Sequence, residues 1–137
     1  MPWSGGLGGS TRRRRGAAAI EFALTLPILV TLAAGVADYG VYLTQAMNVQ
    51  DAVREAGRAG VGAGDAAVAT ATTRVNQSLS WDGISTTGGT VSVTSAYSTT
   101  LQGDQLVIYV DLPFQPVVGL VPTPDRLRSR LTLLIPE

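Results

Sequence analysis

The sequence predicts an α+β fold, with a long N-terminal helix followed by a small helix and a short antiparallel sheet. Three observations predict it. Residues 17–37 are almost wholly apolar over the length of one membrane span. Residues 38–61 carry apolar and charged positions at helical spacing. The last third of the chain alternates apolar and polar residues with period two.

Residues 1–11 are rich in Gly and Ser, a composition that gives no ordered core, and are expected to be disordered. Arg12, Arg13, Arg14 and Arg15 follow, four of the ten basic residues. The formal net charge of zero therefore divides into a basic head, residues 1–16, and a body with six Arg against ten acids. From Ala17 to Ala37 the apolar run is interrupted by Glu21, Thr25, Pro27, Thr31 and Gly35. Its 21 residues match the ~20 that cross a hydrocarbon core. The arginines flank one end only, so the positive-inside rule keeps residues 1–15 cytoplasmic and exports the rest.

The helical pattern continues past the span. Val41, Met47, Val49, Val53 and Ala56 interleave with Gln45, Asn48, Gln50, Asp51, Arg54, Glu55 and Arg58. Asp51 with Arg54, and Glu55 with Arg58, stand three residues apart and suit a solvated helix face. One helix is expected from about Ala17 to about Gly60, roughly 65 Å long at ~1.5 Å per residue. Gly60, Gly62 and Gly64 end it. Asp65 is a candidate N-cap for a second helix reaching about Leu79. Turn signals at Trp81-Asp82-Gly83 and Thr87-Gly88-Gly89 lead into three strands, residues 90–98, 104–114 and 126–135. The second strand places Leu106, Ile108, Val110, Leu112 and Phe114 on one face, and the third places Leu127, Leu131, Leu133 and Ile135. Arg126, Arg128 and Arg130 fall on the third strand's wet face. Trp81 is expected as a core or turn anchor, and residues 116–124 as a loop. The resulting units are a basic leader (1–16), a transmembrane helix (17–37), its amphipathic continuation (38–61) and a small α+β head (62–137). A head of that size has a marginal core unless the outer half of the helix packs on its sheet.

Chemistry is sparse. There is no His and no Cys, so the commonest catalytic base, the thiolate nucleophile and disulfides are all missing. Gly5-Gly6-Leu7-Gly8-Gly9 lacks the context of a phosphate-binding loop. Asp104 and Asp111 match no calcium-loop spacing. One short basic run without aromatic neighbours is a weak nucleic-acid footprint. We expect no catalytic residues, no metal, no cofactor and no nucleic-acid partner.

The junction at residues 12–24 is the informative stretch. A basic run meets Gly16, and Glu21 stands five positions later inside the apolar run. An ionisable group there is costly and a functional candidate. Either Glu21 snorkels to the cytoplasmic interface as a boundary charge, or it pairs with a cation at similar depth. Cleavage after Gly16 would create such a cation, the α-amino group of Ala17. On a neighbouring subunit, that pairing would offset desolvation and fix the register between helices. Pro27 either kinks the span or is tolerated there.

Gly16, four residues, then Glu21 and the aromatic Phe22 resemble the prepilin-peptidase signal of type IVb pilins. Residues 15–29, Arg-Gly-Ala-Ala-Ala-Ile-Glu-Phe-Ala-Leu-Thr-Leu-Pro-Ile-Leu, are similar to the opening of TadE-like proteins of tight-adherence pilus systems. The likeness continues through Ala37-Asp38-Tyr39-Gly40 and Asp51-Ala52-Val53-Arg54-Glu55-Ala56-Gly57-Arg58-Ala59, covering about residues 15–60. It implies a pilin-like minor pseudopilin of the cytoplasmic (inner) membrane, single-pass, processed by a prepilin peptidase. It implies Gly16, Ala17, Glu21 and Phe22 as the processing signal, beside the topology signal Arg12, Arg13, Arg14 and Arg15. The implied partners are other pilin or pseudopilin subunits and the pilus assembly platform, in adhesion or secretion. The alternative is an exported or single-span anchored binding domain. In its exported form, an ordinary signal sequence would be cut before Asp38, after Gly35-Val36-Ala37.

Overall fold

A computed structural model describes residues 10–99 and 103–135, with side chains from Gly16 onward. The fold is α+β as predicted. Helix α1 spans Ser10–Val61, a one-turn 3-10 helix covers Gly64–Ala66, and helix α2 spans Ala67–Trp81. Strands β1 (Thr90–Ser98), β2 (Gly103–Pro113) and β3 (Arg126–Leu134) follow. They form one antiparallel sheet with β2 in the centre.

Helix α1 is 52 residues long, about 78 Å, and continuous through Pro27. It starts at Ser10, ahead of the expected Ala17. Ser10, Thr11 and the arginines tolerate helical backbone well enough to extend it. Gly16 thus lies inside the helix and not at a loop-to-helix junction. The expected disorder of residues 1–11 is corrected at Ser10 and Thr11, which are helical; residues 1–9 fall outside the described residues, as do the side chains of Arg12, Arg13, Arg14 and Arg15.

The core forms where two helical stripes meet the even-numbered face of β2. Val49, Ala52, Val53 and Ala56 supply the α1 stripe; Ala67, Ala71, Val75 and Leu79 supply that of α2. Their three- and four-residue spacing puts each set on one helix face. Leu106, Ile108, Val110 and Leu112 of β2 are fully buried beneath them, and Leu127 of β3 stands opposite Leu112. Alanines in both stripes let the backbones approach closely. Gly60 lies at a close approach of α1, α2 and β2, where a Cβ would stand 2.6 Å from Leu106 Cδ2 and 3.0 Å from both the Ala67 carbonyl oxygen and Ala71 Cβ. The outer half of α1 therefore completes the core, as the small size of the head requires.

Several local expectations are corrected. Asp65 is not an N-cap. The chain enters α2 through helical turns, with Ala66 at the N-cap and no side-chain capping bond, so Asp65 lies within the preceding 3-10 turn. Trp81 is 69% exposed and is no core anchor. It falls two residues past Leu79, off the buried stripe of α2. Arg54 pairs with Asp51 at 3.2 Å as the spacing predicts. Glu55 instead faces α2, accepting from Ser78 Oγ at 3.1 Å and lying 3.7 Å from Arg74 Nε.

On the open face of the sheet, Asp111 accepts from Arg126 Nε and from Tyr109 Oη at 3.1 Å, with Arg128 Nε 3.4 Å away. The bond from Arg126, foremost, holds its carboxyl below the usual carboxylate range, against the opposing pull of desolvation. The wet face of β3 thus carries an ion cluster. Asp104 and Asp111 lie seven strand residues apart with opposite facing, so the structure does not bring this pair together.

Candidate functional site

Helix α1 divides into an exposed half and a packed half. Ile20, Phe22, Leu24, Ile28 and Leu32 are each more than 60% exposed. Within Gly16–Val61 it is the one helix among the described residues long and apolar enough to cross a membrane. Its internal hydroxyls bond back to the helix. Thr25 Oγ1 donates to the Glu21 and Phe22 carbonyls, both at 3.1 Å, and Thr31 Oγ1 to the Pro27 carbonyl at 2.8 Å. Such bonds hide polar groups that would be costly in hydrocarbon.

Gly16, Ala17, Glu21 and Phe22 all lie exposed on this half of α1. A Cβ at Gly16 would meet nothing within 4 Å. Ala17 and Glu21 are four residues apart, so they share a helix face about 6 Å apart along the axis. Glu21 is the sole ionisable group of residues 17–37. The arrangement is a lone carboxylate on an apolar helix surface, with no ion pair to it among the described residues.

A second feature, which sequence reasoning missed, joins the helix to the head. Residues 115–124 form a loop between β2 and β3, closed at its neck by the Phe114 N–H donating to the Asp125 carbonyl at 2.8 Å. The loop folds back against α1. Asp38, fully buried, accepts three backbone bonds, all at 2.8 Å: Val117 N–H and Val118 N–H to Oδ1, and Gly119 N–H to Oδ2. Gly119 has φ of 70°, a conformation that glycine adopts without a Cβ clash. Consecutive amides converging on a carboxylate make a small anion nest. The Val118 N–H foremost, with those of Gly119 and Val117, holds the Asp38 carboxyl below its ordinary range while desolvation pulls the other way.

Neighbouring contacts lengthen this clasp. Tyr39 Oη donates to the Pro122 carbonyl at 3.1 Å. A Cβ at Gly35 would stand 3.2 Å from Val121 Cγ2. Tyr42 meets Phe114 edge to face, ring centroids 5.2 Å apart. Gly35, Asp38, Tyr39 and Tyr42 thus form one helical stripe that receives the loop. The available sequence signal was an acid at the outer end of an apolar run with no basic residue a turn away.

Comparison with known proteins gives one family. The family model for TadE-like protein matches residues 16–58, the helical stretch from Gly16 to Arg58 and the same stretch on which the sequence resemblance rests. No curated protein and no solved structure gave a match.

Proposed function

We propose that the chain is a membrane-anchored, pilin-like minor pseudopilin that takes part in assembling a tight-adherence or type IVb pilus, and that it is not an enzyme. The observation that carries this is the exposed apolar half of α1 with Glu21 inside it, in a segment that matches the TadE-like family. An apolar helix surface this long, with the head packed only around its other half, calls for lipid or for neighbouring helices.

In this reading residues 17–37 span the inner membrane once, residues 1–15 remain cytoplasmic, and the head is exported. Arg12, Arg13, Arg14 and Arg15 set the orientation, because they flank only one end of the span. A prepilin peptidase cuts between Gly16 and Ala17, with Glu21 and Phe22 completing its signal. The new Ala17 amine on one subunit then pairs with Glu21 on a neighbour inside the bundle of helices. The partners are other pilin or pseudopilin subunits and the assembly platform. The unbroken helix through residues 37–38 and the clasp that straddles that bond support this over signal-peptidase cleavage before Asp38.

Sequencing the mature N-terminus tests the proposal. It predicts Ala17 as the first residue, and a Gly16 variant with a bulky side chain that accumulates as inserted, uncut precursor. A mature protein beginning at Asp38 supports the signal-sequence alternative, and an intact N-terminus a simple single-span anchor; either result overturns processing at Gly16.

A further inference from the structure

The loop of residues 115–124 has an unusual composition for a surface connection. From Pro116 to Pro122 it reads Pro-Val-Val-Gly-Leu-Val-Pro, with no polar side chain. Loops generally run through water and are polar. Here Val117 is 72% exposed, Val118 49% and Leu120 57%. The clasp fixes where they stand. Val121 lies against Gly35, inside the last turn of the 17–37 apolar run, and Pro122 is bonded by Tyr39. At the same level α1 exposes Leu32 at 62% and Val36 at 76%. The loop's apolar tip and the apolar helix surface are therefore continuous.

Irregular backbone is excluded from hydrocarbon because its N–H and C=O groups lose their water. This loop reduces that cost in two ways. Pro116 and Pro122 have no N–H, and the amides of Val117, Val118 and Gly119 all donate to Asp38. The same three bonds satisfy the buried carboxylate, so the charge carries its own donors to the interface.

We propose that residues 116–122 dip into the lipid surface on the head side of the bilayer, so that the chain contacts the membrane through both its helix and this loop. The proposal rests on the reading of residues 17–37 as a span. The occupant is lipid, because the patch continues the helix surface that lipid covers.

Cysteine is absent from the sequence, so single labelling sites are simple to introduce. We would substitute Leu120→Cys, Leu29→Cys and Ala96→Cys separately in the full chain. Each variant carries an environment-sensitive fluorophore and is reconstituted in phosphatidylcholine vesicles. Leu29 reports the span, and Ala96, exposed on β1, reports the head. The expected result is a Leu120 label shielded from aqueous iodide several-fold relative to the Ala96 label, blue-shifted, and quenched by nitroxide-bearing lipid. A Leu120 label as open to iodide as that at Ala96, with Leu29 shielded, overturns the proposal and leaves the span standing. If Leu29 is open too, the span reading fails and the proposal falls with it. Shielding that disappears on dilution into excess lipid, without nitroxide quenching, identifies a second copy as the cover and also overturns it.

Discussion

Gly60 and Gly57 face the same packed side of α1, yet replacement by Ala should be harmful at Gly60 and tolerated at Gly57. Each change removes a helical glycine, which by itself favours folding by up to ~1 kcal/mol in the helix interior at Gly57 and by less at Gly60, in the last turn. At Gly57 the new Cβ would meet Leu133 Cδ1 at 2.6 Å and Leu131 Cδ2 at 2.8 Å. Both are the far ends of flexible side chains on the edge strand β3, only partly buried, and both can rotate aside. At Gly60 the Cβ would meet Leu106 Cδ2 at 2.6 Å in the fully buried core, together with the Ala67 carbonyl oxygen and Ala71 Cβ, both at 3.0 Å. Backbone oxygen cannot rotate away, so α2 must shift, and overpacking of that kind costs ~1–3 kcal/mol. Gly57→Ala should therefore be neutral or slightly stabilising, and Gly60→Ala destabilising by roughly 0–2 kcal/mol net, from the same overpacking and propensity terms. In a head of this size ~1 kcal/mol is worth ~4–8 °C. Thermal unfolding of the full chain in detergent micelles, followed by circular dichroism, measures the difference. A Gly60→Ala protein melting at or above Gly57→Ala would refute the close three-way packing.

Three further outcomes follow, one from the nest at Asp38 and two from the proposed function. Asp38 has a lowered carboxyl pKa in the folded protein, so its contribution is fully present above the ordinary carboxylate range. It is lost as pH falls through that range to the depressed value. Protection of the Val117, Val118 and Gly119 amides, taken relative to their intrinsic exchange rates at each pH, should fall on acidification and should already be low at neutral pH in Asp38→Asn. Protection that stays constant as pH falls would count against the nest. Glu21→Gln keeps the side chain's shape within the proposed signal and removes only its charge, so it should insert and be cleaved, yet fail to crosslink to other pilus components. Lost cleavage would show that the peptidase needs the charge itself, and unchanged assembly would leave Glu21 a tolerated boundary charge. A reporter fused after Glu137 should work only outside the cytoplasm; cytoplasmic activity would reverse the topology.

What the sequence made legible was what repeats locally. The alternation Leu106, Ile108, Val110, Leu112 announced β2 and its buried face, and all four are fully buried. The apolar run and its amphipathic extension announced α1, since period and length survive any tertiary context. What escaped was set by distant partners or by competing local geometry. Asp38 and the amides it binds are separated by 79 to 81 residues, and no periodicity links them. Glu55 had a correctly spaced partner in Arg58, but α2 brings Arg74 and Ser78 to it. Asp65 has the chemistry of a cap and the wrong backbone, because the chain before α2 is already turning helically. Gly16, Ala17, Glu21 and Phe22 lie exposed on one helix half. In the proposed function their roles belong to a peptidase and to neighbouring subunits.

The head is gripped by α1 along one continuous stretch, from the loop at Asp38 through Val41, Tyr42 and Ala46 to the core around Ala56. Its ends are about 27 Å apart along the axis at ~1.5 Å per residue. A single contact would leave a swivel; contact over that length removes it. The azimuth of the head around the helix is therefore fixed by the helix itself. Any contact that sets the rotation of one helix against its neighbours also decides which side of the head points outward. Because successive residues advance by ~100°, inserting a single residue between the span and Asp38 would turn the whole head by more than a quarter of a circle.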